Sequence, residues 1–182
     1  LILEGARQVG KTWLIDEFGS KEFKYYIKIN CENNPEVSDL FSDYDIKRIR
    51  RLNSALAKKP VKPGETLIFL DEVQELPKAL GSLKYFSENA PEYHIVVAGS
   101  LLGIKYHQGE SFPVGKVDVL KLYPLDFNEF LLAMGENQKE EILSSCNWED
   151  IKSLKSSFIE LLRQYYFTGG MPSCINEYVK TQ

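Results

Sequence analysis

Eight residues near the start of the chain, Gly5-Ala6-Arg7-Gln8-Val9-Gly10-Lys11-Thr12, constrain its fold more than any other feature. They fit GxxxxGK[ST] at every fixed position, and they stand between the apolar run Leu1 to Leu3 and a helix-like stretch from Lys11 to Phe18. The chemistry requires these residue types in this order. Glycines let the backbone curl until several N–H groups point inward at phosphate oxygens. A helix starting near Gly10 turns the positive end of its dipole to the same point. Lys11 brings a mobile cation to the β- and γ-phosphates, and the Thr12 hydroxyl is a ligand for Mg²⁺. All eight residues are expected to line a nucleotide-binding loop, and their flanks predict a strand–loop–helix unit.

The rest of the chain extends that alternation. Leu14, Ile15 and Phe18 predict the inner face of the first helix, with Gly19 as its cap. Tyr25 to Ile29 alternates as strands do, and Asp45 is placed to cap a helix bearing Ile46, Ile49, Leu52 and Leu56. Thr66 to Leu70 is a continuous apolar run, which suits a strand buried on both faces of a parallel sheet. Pro77 opens a helix to about Asn89, followed by strands over Ile95 to Ala98 and Val117 to Leu122. Beyond that the pattern turns helical. Asp126 and Glu129 form a capping box with Leu125 and Phe130 as a staple, and the helix ends at Gly135. One longer helix is expected from Asn147, carrying Ile151, Leu154, Phe158, Leu161 and Tyr165, and stopping at Gly169-Gly170 with Pro172 beyond. The order predicts an α/β fold of the P-loop NTPase type: a parallel sheet flanked by helices over 1–125, then a small helical lid over 126–182.

Leu67-Ile68-Phe69-Leu70-Asp71-Glu72 puts two carboxylates at the C-terminal end of a buried strand, the end at which open α/β sheets bind ligands. Asp71 is suited to hold Mg²⁺ through its water shell, and Glu72 to act as general base on the attacking water. A strand that merely ends in solvated acids is the bland alternative, and the upstream phosphate loop argues against it. Ser100, after Ala98-Gly99, either closes a simple turn or hydrogen-bonds the water or the γ-phosphate, depending on which strands neighbour it.

Composition narrows the classes. The chain has 182 residues, 43% of them hydrophobic, and a net charge of -4, which offers nucleic acid no overall attraction without excluding a local basic patch. Lys47, Arg48, Arg50 and Arg51 read as a solvated helix face in preference to such a patch. Cys31, Cys146 and Cys174 are odd in number and widely spaced, as reduced thiols of a cytoplasmic protein are. His94 and His107 lack metal-ligand spacing. The apolar run around Ile95 to Ile104 is too short and too glycine-interrupted to span a bilayer, so no membrane partner is expected. The polar stretch Gly103 to Gly115 is long for a connector, which suits either a mobile bridge or a segment closing over nucleotide or a partner. A contact with nucleotide or water is one reading of Gln8 and of Gln74, and in each case the less favoured one.

Taken in order, GARQVGKT, LIFLDEVQELP, VVAGSLLG, PVGKVDVLKLYPLDFNEFL and GGMP resemble prokaryotic AAA-type ATPases of the archaeal-ATPase-like group, over nearly the whole chain. The resemblance implies an AAA-like core with a helical lid, ATP and Mg²⁺ as cofactors, Lys11, Thr12, Asp71 and Glu72 in the roles above, and Ser100 as a γ-phosphate sensor. It also implies a further C-terminal domain, and it makes a homo-oligomeric ring one option because rings are common among AAA-type proteins. One position departs. Relatives carry arginine where PVGK has Lys116, and lysine lacks the planar fork. Either a point charge serves there or the position is structural. The chain starts without methionine inside an apolar stretch and ends soon after GGMP, so a fragment of a longer protein is expected.

Three functions compete on this basis. The leading one is an ATPase whose hydrolysis drives a conformational switch on an unknown partner or attached domain. A slow or non-hydrolysing nucleotide-binding module is the second. A small-molecule kinase is the third, disfavoured by Glu72 and by the lack of an arginine-rich acceptor lid.

Overall fold

The computed structural model describes the backbone of residues 1–32, 35–100 and 115–181, which divides into two compact units, Leu1–Leu122 and Tyr123–Gln182. In the first, β1 (Ile2–Gly5), β2 (Tyr25–Asn30), β3 (Thr66–Asp71), β4 (His94–Gly99) and β5 (Val119–Leu122) form one sheet in the order β2-β3-β4-β1-β5. Every pairing is parallel. Helices α1 (Lys11–Glu22), α2 (Pro35–Leu40), α3 (Ile46–Ala57) and α4 (Pro77–Asn89) flank it, and a 3₁₀ turn spans Val73–Glu75.

Successive side chains of a strand point to opposite faces, so an inner strand covered on both sides must be apolar throughout. β3 meets that condition over Leu67 to Leu70, and its polar end residues Thr66 and Asp71 are buried with them. Leu67 and Phe69 join Leu3, Ile15, Val96 and Ala98 in one core cluster. Ile68 and Leu70 face the other way, into a larger cluster with Ile2, Ile27, Ile29, Ile49, Leu83 and Phe86. The α/β architecture is the one the sequence predicts.

Several elements differ from expectation. Gly19 does not cap α1; the helix continues through it to Glu22. The buried stripe of α1 is Lys11, Ile15 and Gly19 at a spacing of four, while Leu14 and Phe18 are exposed. Gly19 is needed for a different reason: a Cβ there would lie 2.4 Å from Cδ2 of Tyr26 on β2. β5 begins at Val119, two residues later than predicted, and is an exposed edge strand. α2 has no clear signal in its six residues, yet its Val37 and Leu40 are buried in the larger cluster. Asp45 does cap α3, accepting from the Lys47 and Arg48 amides. Part of the basic run on α3 is engaged within the fold: Arg48 pairs with Asp43, and the Arg50 guanidinium lies 4.3 Å from the Tyr93 ring centroid. The polar stretch from Gly103 lies outside the described residues up to 114, as do Leu101 and Leu102.

The second unit holds α5 (Phe127–Ala133), α6 (Asn137–Ser144), α7 (Trp148–Ser153), α8 (Lys155–Thr168) and α9 (Pro172–Thr181). The Asp126–Glu129 capping box forms as predicted. The single long helix does not: Leu154 leaves helical geometry and divides α7 from α8. Ile151 and Leu154 nonetheless both reach the core of Leu131, Phe158 and Leu161. Pro172 does not merely end structure. It opens α9, where its missing N–H costs nothing. Gly170 allows the chain to close on itself, since a Cβ would lie 2.2 Å from the Leu125 carbonyl oxygen. None of the described helices is long and apolar enough to cross a membrane.

Candidate functional site

In a parallel sheet all strands end on one edge, and this order of strands decides which ends are neighbours. β4 lies between β1 and β3, with Glu4 opposite Gly99 and Leu70 opposite Val97. The octet after β1, Ser100 after β4, and Asp71 with Glu72 at the end of β3 therefore meet at one edge.

The loop is built by backbone conformation that glycine alone adopts easily. Gly10 has φ 96, immediately before α1, and Gln8 takes a positive φ of 65. Gly5 is required by something else, because a Cβ on it would lie 2.3 Å from the Leu122 carbonyl oxygen of β5. Lys11 curls back across the loop, its Nζ donating to the carbonyl oxygens of Gly5 at 3.0 Å and Ala6 at 2.6 Å. Burial lowers the affinity of this ammonium for its proton, and Arg7 adds to that, against the opposing pull of Glu72 and Asp71. A cavity of about 340 Å³ opens over the loop, lined by Arg7, Gln8, Gly10, Lys11, Thr12, Trp13 and Glu72.

Thr12 and Asp71, 59 residues apart, are in direct contact: Thr12 Oγ1 donates to Asp71 Oδ2 at 2.9 Å. Burial pushes the Asp71 carboxyl up, even though Thr12, Lys28 and the Glu72 amide all favour its charged form. A desolvated carboxylate beside a hydroxyl is an oxygen donor set that suits a hard divalent cation. Among the described residues no group of three or more His, Cys, Asp or Glu side chains is placed to hold a metal, so such a cation would need oxygens from a bound phosphate or from water. Glu72 is in the left-handed region, at φ 51 and ψ 43, which swings its side chain out of line with β3 and onto the cavity. Ser100 Oγ accepts from Arg7 Nε at 3.4 Å, so the residue after β4 does face the loop.

One feature of the site had no local signal. Lys28 on β2 reads from sequence as a solvent-facing residue of an alternating strand. In the fold it donates to Asp16 at 2.8 Å and stands 3.9 Å from Asp71, and Tyr26 Oη donates to the other Asp16 oxygen. Only the pairing of β2 with β3 reveals this. Gln74 does not line the cavity; it is buried and donates to Glu72. Lys116 ion-pairs with Glu88 of α4 at 3.5 Å and lines a separate hollow with Leu1, Ile95 and Val117, where strands begin.

A parallel sheet in this order, with the GxxxxGKT octet after β1 and an acidic pair ending β3, is the P-loop NTPase fold. The AAA domain family matches residues 1–131, and the chain belongs to that family of nucleotide-binding ATPases. Among solved structures, that of C. elegans PCH-2 is similar at 15% identity and a TM-score of 0.41. The likeness covers 76% of this chain and 38% of that one, so this chain spans well under half the length of that relative. No curated protein matches the sequence.

Proposed function

We propose that this protein hydrolyses Mg-ATP and that the hydrolysis drives a conformational switch acting on a partner or an attached domain. The observation that carries the reading is the Thr12–Asp71 contact at 2.9 Å on the rim of a cavity that Lys11 and Glu72 also line. Bound Mg-ATP would supply the reactive phosphoanhydride and the divalent charge that gathers its oxygens. The residues of this chain do the rest. Backbone N–H groups from Gly5 to Thr12 bind the phosphates, and Lys11 exchanges the Gly5 and Ala6 carbonyls for phosphate oxygens. Thr12 and Asp71 hold the cation, with their present hydrogen bond giving way to it. Glu72 takes the proton from the attacking water, and Ser100 with Arg7 hydrogen-bonds at the γ-phosphate end. The helical unit over 126–182 is the element whose position nucleotide state sets, and a homo-oligomer fits the family habit.

Phosphate release from Mg-ATP, with Glu72→Gln alongside, is the test. Glu72→Gln is expected to retain nucleotide binding while turnover falls by roughly 10²–10⁴-fold, the scale of a lost general base. Undiminished turnover in that variant refutes the assignment. A slow nucleotide-holding module is the second reading, favoured by the engagement of Lys116 with Glu88. Tight ADP retention without steady release would establish it.

A further inference from the structure

The residue that aims the base is not in the cavity. We propose that Gln74 is a positioning residue which holds the Glu72 carboxylate toward the phosphate loop, an inference that rests on the ATPase reading above. Gln74 Nε2 donates to Glu72 Oε2 at 2.5 Å. Gln74 itself is 4% exposed and does not line the cavity, whereas the Glu72 it donates to does.

The backbone makes the contact a fixed one. Glu72 sits at the left-handed start of the 3₁₀ turn, whose bonds run from the Glu75 amide to the Glu72 carbonyl and from the Leu76 amide to the Val73 carbonyl. Val73 and Leu76 anchor the turn in the larger core cluster. Meanwhile the Glu72 amide donates to Asp71 Oδ1 at 3.1 Å. The turn is thus tied at both ends, and the one free choice left to Glu72 is the direction of its own side chain. A donor on a carboxylate makes a charge-assisted bond, stronger than a neutral pair, and a buried donor on a rigid turn loses little freedom in making it. Because Glu72 lines the cavity while so held, the contact keeps the base in its working direction, and its removal should slow chemistry without loosening nucleotide.

The near-isosteric Gln74→Met tests this in the full protein. The expected result is a kcat lower by about 10- to 100-fold, the equivalent of one hydrogen bond to a charged group, with KM changed less than about 2-fold. An unaltered or raised kcat overturns the proposal. A second measurement needs no turnover. In nucleotide-free protein the Gln74 side-chain amide, identified by its absence in Gln74→Met, should exchange slowly with solvent by NMR and lose that protection in Glu72→Ala. Protection indifferent to Glu72→Ala also overturns it. The two readings fail separately: turnover lost in Glu72→Gln but intact in Gln74→Met removes only the positioning role. Turnover intact in Glu72→Gln, or absent from the wild type, removes the base and with it the residue that aims it.

Discussion

Gly19→Ala should destabilise the first unit, although the residue lies inside a helix where alanine is ordinarily preferred. Replacing a helical glycine by alanine gains about 0.5–1 kcal/mol from backbone entropy. Against that, the new Cβ would lie 2.4 and 2.6 Å from two ring carbons of Tyr26 and 3.1 Å from a Leu67 methyl. The Tyr26 ring has little room to yield, since it is stacked near Phe69 with centroids 6.5 Å apart and its hydroxyl donates to Asp16 at 2.6 Å. Overpacking of this kind costs about 1–3 kcal/mol. The net expectation is a loss of about 1–2 kcal/mol, or about 2–8 °C in Tm for a chain of this size. Gly81→Ala in α4 is the matched comparison. Its Cβ would meet nothing closer than the Tyr44 hydroxyl oxygen at 3.2 Å, which a shift of a few tenths of an ångström relieves, so most of the helix gain should survive. Urea unfolding followed by circular dichroism compares the two. A Gly19→Ala protein as stable as wild type, or shifted in the same direction as Gly81→Ala, would refute the packing account.

Two further outcomes are expected. Burial, with Asp71 acting in the same direction, pushes the Cys31 thiol up from 9.0 to about 12, so at pH 8 a disulfide reagent should modify exposed Cys146 and Cys174 at once and Cys31 only on unfolding. The folded state holds that proton more tightly than the unfolded one. Its contribution to stability is therefore complete below pH 9 and declines as pH rises toward 12, and rapid reaction of all three thiols at pH 8 would contradict this. Arg7→Ala should weaken a non-hydrolysable triphosphate relative to ADP by about 10-fold, because it removes a guanidinium from the Ser100 side of the cavity. Calorimetry with both nucleotides checks it, and an unchanged ratio would place Arg7 outside the γ-phosphate end.

Much of the site is legible because its parts are local. The octet needs only a strand before it and a helix after it, and both can be read from a dozen residues. β3 announces itself by the unbroken apolarity of Leu67 to Leu70, since burial on both faces favours apolar residues at every inner position. The Asp45 and Asp126 caps are equally local, each decided within four residues. Elements whose stability comes from elsewhere were not legible. α6 has no buried residue, and what holds it in place comes from outside it: Ile142 and Leu143 pack on the core of the second unit, and Asn128 of α5 donates to Ser144. Gly19 as cap and Gly19 as contact surface look the same until β2 is laid beside α1.

By itself, then, the sequence determined the strand–octet–helix unit, the position of the acidic pair and the alternating α/β order, because each rests on backbone and polarity rules that act over a few residues. The tertiary structure decided which strand lies between which. It set β4 between β1 and β3, brought Thr12 to Asp71, turned Ser100 toward Arg7, carried Lys28 to the flank of the acidic pair and placed Gln74 behind Glu72. Strand order follows from how crossovers bury the two faces of the whole sheet, and no stretch of chain carries that information alone.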